Sequence, residues 1–168
     1  YSQDEWRDYA QETVDYVESL NRDTHKLVKF YREEDKLKVQ EYPDKDTKFI
    51  FEQSDVMKYI AKLKRGCFLI YMSAHKPGGG FLNGRIAQEE ILAYHTDLYN
   101  LLTKGVFKES YELNKNNKNA KKYSYRNDIV FIPQLKVIRD LEADGFLENP
   151  YNVSAFGSAA VNKTHFMR

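Results

Sequence analysis

The chain has 168 residues, enough for one compact domain that buries about two thirds of the surface its unfolded form exposes. Its 26 Lys and Arg stand against 25 Asp and Glu, a formal net charge of +1, so no bulk excess marks it for nucleic acid. The longest apolar run, residues 67–72, is far too short to cross a bilayer, and a single cysteine, Cys67, excludes an internal disulfide. That cysteine is expected as a buried structural thiol, in a protein kept in the reducing cytoplasm.

Residue 1 is Tyr and not Met, so the chain is expected to be a piece of a longer protein. Residues 3–20 set Trp6, Tyr9, Ala10, Thr13, Val14, Val17 and Leu20 at helical spacing, with Asp4 and Glu5 at the end the helix dipole favours for acids. Strands are predicted over 25–32, 36–43 and 47–53 from their alternation and aromatic content. Ser54 is placed to cap a helix that Gly66 ends. The following CFLIYMS, residues 67–73, is apolar without alternation and predicts a central parallel strand covered on both faces. Apolar spacing from Ile86 through Leu102 predicts one continuous helix closed by Gly105. Residues 114–128 are polar and basic and read as a solvated loop. Two strands are predicted around Pro133, a turn at EADG, and a last strand over 149–162. The sum is an α/β fold, with a loop at the carboxyl end of its most buried strand, where ligands of such folds sit.

That loop reads PGGGFLNGRIAQEE, residues 77–90, and holds four of the chain's 8 glycines. A triphosphate-binding loop needs Lys and Ser or Thr after its last glycine, whereas Phe81 and Leu82 follow here; Gly78, Gly80 and Gly84 miss the dinucleotide spacing by one residue. What remains is a backbone able to cradle a diphosphate or ribose, leading into a helix N-terminus. Adjacent helical residues point about 100 degrees apart, so Glu89 and Glu90 can border one pocket mouth without facing the same way. A carboxyl partly buried beside another holds its proton to higher pH and can act as a general acid. The same three letters, QEE, also suit an ordinary acidic first turn, and on the residues alone both readings stand. His25, His75, His95 and His165 are scattered and predict no metal site, although His75 lies close enough to the loop to line a pocket.

As a whole, PGGGFLNGRIAQEE resembles the signature of the poly(ADP-ribose) glycohydrolases, GGG followed after a short spacer by QEE, and its detail is closest to the bacterial type. WRDYAQETVDYV, FIFEQSDVMKYIAKL, EILAYHTDLYNLL, YSYRNDIVFIPQLKVIRD and DGFLENPYNVS are similar to the segments that surround it, so the resemblance covers nearly the whole chain. It implies a macrodomain-like α/β fold, a mixed sheet sandwiched between helices, in one catalytic domain over residues 1–168. It also implies incompleteness at the C-terminus, because nothing after Asn162 is similar to the family's second glycine-rich segment.

By the same resemblance the chain is a hydrolase that releases ADP-ribose from poly(ADP-ribose), with Glu90 as general acid and Glu89 positioning the ribose hydroxyls. Gly78, Gly79, Gly80, Phe81, Asn83, Gln88 and Asn162 are its implied ligand-binding residues. No metal or other cofactor is implied. The implied partners are ADP-ribose or poly(ADP-ribose), carried on protein or nucleic acid, and no membrane. Two departures from the family pattern are Ile70, Tyr71 and Met72 in place of Asn-Phe-Ala, and SAAVN, which keeps Ala160 and Asn162 without the flanking prolines. The rival reading is a non-catalytic module that binds ADP-ribose or another NAD-derived nucleotide.

Overall fold

A computed structural model describes residues 1–36, 38, 48–63, 66–104, 107–116, 125–140 and 145–159. Helix α1 (Gln3–Ser19) begins at a capping box: the Ser2 hydroxyl accepts from the Glu5 amide while Glu5 reaches back to the Ser2 amide. Its inner face, Ala10, Thr13 and Val17, is buried. After it come β1 (Lys29–Tyr31), α2 (Val56–Leu63), β2 (Cys67–Met72), a 3-10 turn at Phe81–Asn83, α3 (Gln88–His95), α4 (Leu98–Lys104), α5 (Lys108–Asn116), β3 (Ile129–Arg139) and β4 (Phe146–Ala159).

The described strands form one mixed sheet in the order β1-β3-β4-β2. β1 and β4 both run antiparallel to β3, and β2 runs parallel to β4, with Cys67 opposite Ser154 and Met72 opposite Ala159. The main core lies between this sheet and the helices and includes Ile70, Leu92, Leu98, Leu101, Leu102, Ile132 and Leu135, all fully buried. Each such side chain contributes about 2 kcal/mol of burial free energy. A second, smaller core of Ala10, Phe81, Ala93 and Tyr94 fastens α1 onto α3 and the 3-10 turn. Among the described residues no helix is long and apolar enough to cross a membrane.

The α/β expectation and the mixed sheet hold, and several details differ. β2 is the edge of the described sheet, not its centre, and Cys67 is exposed, because β4 covers one side of the strand only. Residues 48–53 form no strand; they find no partner strand among the described residues, and Phe49, Ile50 and Phe51 are exposed. Asp55, not Ser54, caps α2, its Oδ1 accepting from the Met57 amide at 2.8 Å. The expected single helix over 86–104 is two, α3 and α4, parted at Thr96 and Asp97. Thr96 has extended backbone and bridges to Val137. β3 runs unbroken through Pro133 by shifting register between Ile132 and Leu135. Asn114 to Asn116 close α5 and are not loop. Most of the strand predicted over 36–43, most of the EADG turn, and Asn162 lie outside the described residues.

Candidate active site

The parallel strand β2 delivers the chain into the glycine loop, and the loop returns it to the N-terminus of α3. Gln88, the first residue of α3, does not face outward to a ligand. Its side-chain Oε1 accepts from the Tyr71 amide at 2.8 Å and its Nε2 donates to the Leu69 carbonyl at 3.2 Å, so one primary amide satisfies the outer rim of β2 as a neighbouring strand would. This clamp fixes where the next two residues point.

Glu89 and Glu90 are 4% and 7% exposed, nearly inside the protein. Glu89 Oε2 accepts from the Ser73 amide at 2.7 Å, just beyond the end of β2. Glu90 uses both oxygens, Oε1 accepting from the Gly80 amide at 2.7 Å and Oε2 from the Ala87 amide at 3.1 Å. The two carboxyls are thereby tied to different elements. Burial pushes Glu89 up to about 8, against the pull of the Ser73 amide and with the help of the neighbouring Glu90 charge. Its Oε1 is buried without a well-formed hydrogen bond; the nearby Gly78 amide only tempers its charge.

The loop is shaped around these acids. Gly79 has φ of +56°, and a Cβ there would strike Glu90 Oε1 and come within 3.2 Å of Glu89 Oε2, so no other residue fits. Gly84, at φ of +69°, lies against the backbone of Gln3 at the start of α1. The buried Tyr94 hydroxyl donates to the carbonyls of both Phe81 and Arg85, pinning the 3-10 turn. Gln3 Nε2 donates to the Asn83 carbonyl at 2.8 Å and completes the attachment of α1.

These elements enclose an open cleft of about 830 Å³ with Glu89 and Glu90 in its floor. One wall is the end of β2 and the start of the loop, Tyr71 to Lys76, with Tyr125; the other is α1 and the 3-10 turn, with Gln3, Arg7, Asn83 and Arg85. His75 and Tyr125 meet edge to face, ring centres 5.3 Å apart. Cations line both walls of a cleft whose floor is acidic, an arrangement that suits a ligand with both phosphates and neutral hydroxyls. Among the described residues no group of three or more His, Cys, Asp or Glu side chains could hold a metal ion.

A family model for the microbial-type PARG catalytic domain, PARG being poly(ADP-ribose) glycohydrolase, matches residues 2–140. The chain belongs to this family. Its fold is similar to the crystal structure of PARG from Thermomonospora curvata: TM-score 0.78 at 24% identity, covering 97% of this chain and 66% of that one. The same enzyme bound to the inhibitor ADP-HPD superimposes with TM-score 0.75 at 24% identity, over 95% of this chain and 64% of that one. PARG from Deinococcus radiodurans, solved with ADP-ribose, is similar over 64% of this chain and 43% of its own, with TM-score 0.53 and 29% identity. The chain thus spans 66% of the length of the first of these relatives. No curated protein matches the sequence.

Of the residues the PARG signature pointed to, Gly79, Gly80, Asn83, Glu89 and Glu90 line the cleft together, and Gly78 is buried behind them. Phe81 does not line it. Its ring is 1% exposed and packs on Tyr94 and Tyr99, at 4.8 and 5.0 Å between ring centres, so it anchors the loop from beneath. Gln88 is likewise structural, through its clamp on β2. His75 does border the cleft, whereas His95 is buried in α3, its ring bonded to the Ile91 carbonyl and its basicity lowered by burial. Sequence reasoning missed Arg7, Tyr125 and Arg85. The first two come from distant segments that only folding brings to the loop. Arg85 lies inside the motif, and a cation between the glycines and QEE was a signal available to be read.

Proposed function

We propose that this chain is the catalytic portion of a poly(ADP-ribose) glycohydrolase, a single domain that hydrolyses the ribose to ribose O-glycosidic bond and releases ADP-ribose. One observation carries the reading: two buried carboxyls, side by side in sequence, are fastened in a glycine-lined cleft by backbone amides of different segments, Glu89 by the end of β2 and Glu90 by the glycine loop and the residue before α3. Glu89 holds a proton at neutral pH, since burial keeps it up to about 8. Ribose hydroxyls donating to Glu89 favour its ionised form. Glu90, in the role of general acid, gives a proton to the leaving oxygen as that oxygen parts from the anomeric carbon, where positive charge builds. Water adds to the anomeric carbon and returns a proton to the Glu90 carboxylate, which balances the hydrolysis. Gly78, Gly79 and Gly80 admit the ribose and diphosphate, Asn83 borders them, and Asn162 belongs to the same proposed ligand set. The substrate is carried on ADP-ribosylated protein or nucleic acid, in the cytoplasm.

Replacing Glu90 by Gln keeps the side chain's size and removes the transferable proton, while its single amide oxygen can accept from only one of the Gly80 and Ala87 amides. Release of ADP-ribose from poly(ADP-ribose) is expected to fall by about 10²- to 10⁴-fold, with ADP-ribose affinity retained. Turnover at the wild-type rate removes the mechanism. A second reading, a binding module without turnover, draws on the two amides that already occupy both Glu90 oxygens, the bonding of a group that accepts and does not donate. ADP-ribose binding with no release by the unmodified chain decides for it.

A further inference from the structure

The segment that leads into β3 carries a knot of charge outside the cleft. Arg126 meets three carboxyls: Asp128, to which its Nε donates at 3.0 Å, Glu34, which accepts from a terminal nitrogen at 2.6 Å, and Glu33 at 3.4 Å. The Arg126 side chain is 13% exposed and that of Asp128 only 2%. Neighbouring elements close on the same residues. From α5, Asn114 Oδ1 accepts from the Arg126 amide at 3.0 Å and the Ser110 hydroxyl donates to Asp128 Oδ2 at 3.0 Å. From the turn after β1, the Glu33 amide donates to Asp128 Oδ1 at 3.1 Å, and from β4 the Ser158 hydroxyl donates to the Asp128 carbonyl at 2.9 Å. The backbone of 126–128 is thereby fixed from three sides.

None of these groups lines the cleft, but the residue before Arg126 does. Tyr125 is half-buried, borders the cleft and meets the His75 ring edge to face, ring centres 5.3 Å apart. His75 sits in a turn closed on Ser73, whose hydroxyl accepts from the His75 and Lys76 amides at 3.3 and 3.2 Å. An edge-on ring pair is a weak contact by itself. Charge-assisted bonds at the very next residue are strong ones, and they constrain where the Tyr125 backbone lies. Glu89 and Glu90 are held by backbone amides and by neither ring, so a shift of Tyr125 leaves the acids in place.

We propose that Tyr125 contacts the ligand and that Arg126 is its positioning residue: the knot of Glu33, Glu34 and Asp128 around Arg126 holds Tyr125 against His75 and so sets the shape of the β2 wall. In a cleft lined mostly by polar and charged side chains, Tyr125 offers ring surface to the uncharged part of a nucleotide. Its effect falls on affinity, not on bond cleavage. The choice of ADP-ribose as that ligand rests on the function proposed above.

Calorimetric titration with ADP-ribose, below the thermal transition of each chain, tests it through a double-mutant cycle. Tyr125→Ala is expected to weaken binding about tenfold, and Arg126→Ala to weaken it about as much. Arg126→Lys keeps the charge but not the fork that reaches several carboxyls at once, so a loss of about threefold is expected from a chain that still folds. In the Tyr125→Ala background neither Arg126 substitution is expected to weaken binding further. In turnover the Arg126→Lys loss is expected in KM, with kcat nearly unchanged. Arg32→Ala removes an exposed ion pair to Glu109 of α5 and is expected to leave affinity unchanged, which separates positioning from a general loosening of these elements. Wild-type affinity in Tyr125→Ala overturns the proposal, as does wild-type affinity in both Arg126 variants, or an Arg126→Lys loss that adds in full to that of Tyr125→Ala. Failure of the unmodified chain to release ADP-ribose sinks the hydrolase reading alone, since the cycle reads binding; absence of any ADP-ribose binding sinks both.

Discussion

A side-chain amide that stands in for a strand makes Gln88 a positioning residue, whose effect reaches any ligand only through Glu89 and Glu90. Replacing it with Leu leaves the Tyr71 amide and the Leu69 carbonyl to water at an exposed edge, a loss of about 1 kcal/mol in stability. The larger effect is expected in turnover. A carboxyl displaced by a fraction of an ångström loses its alignment with the bond, and misplacement of about 1 Å can cost 10²-fold. Steady-state kinetics of Gln88→Leu should therefore show a fall of about tenfold or more in kcat with KM nearly unchanged. A change confined to KM shows that Gln88 contacts the ligand directly.

Between α3 and α4 the polypeptide turns out of helix for two residues, and this break joins the site to the sheet. Asp97 exchanges bonds with Lys136 in β3: its amide donates to the Lys136 carbonyl at 3.1 Å and its Oδ1 accepts from the Lys136 amide at 2.8 Å. Its other oxygen pairs with Arg22, and both partners are largely buried. Removing the carboxylate by Asp97→Ala strands a buried guanidinium and an amide, at a cost of about 3–5 kcal/mol. Thermal unfolding should show a midpoint lower by roughly 10 °C, with ADP-ribose affinity retained below the transition. A midpoint within a degree of the wild type overturns the role given to this pair. The break was hidden in the sequence because Leu92, Ala93, Leu98, Leu101 and Leu102 keep helical spacing across it. Thr96 and Asp97, both good starters of a helix, were the only local sign, and the bridge from Thr96 to Val137 depends on a strand far along the chain. Helices α1 and α2, the glycine loop and the acids were legible from local pattern, whereas α5 was not foreseen. The edge position of β2 was not, since an apolar run such as CFLIYM looks the same whether one neighbour covers it or two.

Taken over the whole molecule, the buried acid that readies the site also weakens the fold. Unfolded, Glu89 ionises near its ordinary value of 4.5; folded, burial holds its proton to about 8. Between those limits the native chain keeps a proton that the unfolded chain has released, so stability falls as pH rises through that window, by on the order of 3 kcal/mol at neutral pH. Glu89→Gln abolishes that dependence, and its thermal midpoint at pH 8 should exceed that of the wild type by roughly 5–10 °C. Below pH 4 the two should converge. Parallel pH profiles of the two chains are inconsistent with a buried proton on Glu89. The alkaline side of the activity profile should fall through the same region, as the pair loses the proton it delivers. The sole cysteine lies at the far end of β2 from all of this, exposed and roughly 16 Å along the strand from Met72. A dye attached to Cys67 would watch the cleft from outside it. Because partial burial raises that thiol, attachment proceeds faster at mildly alkaline pH, where Glu89→Gln is the sturdier chain to label.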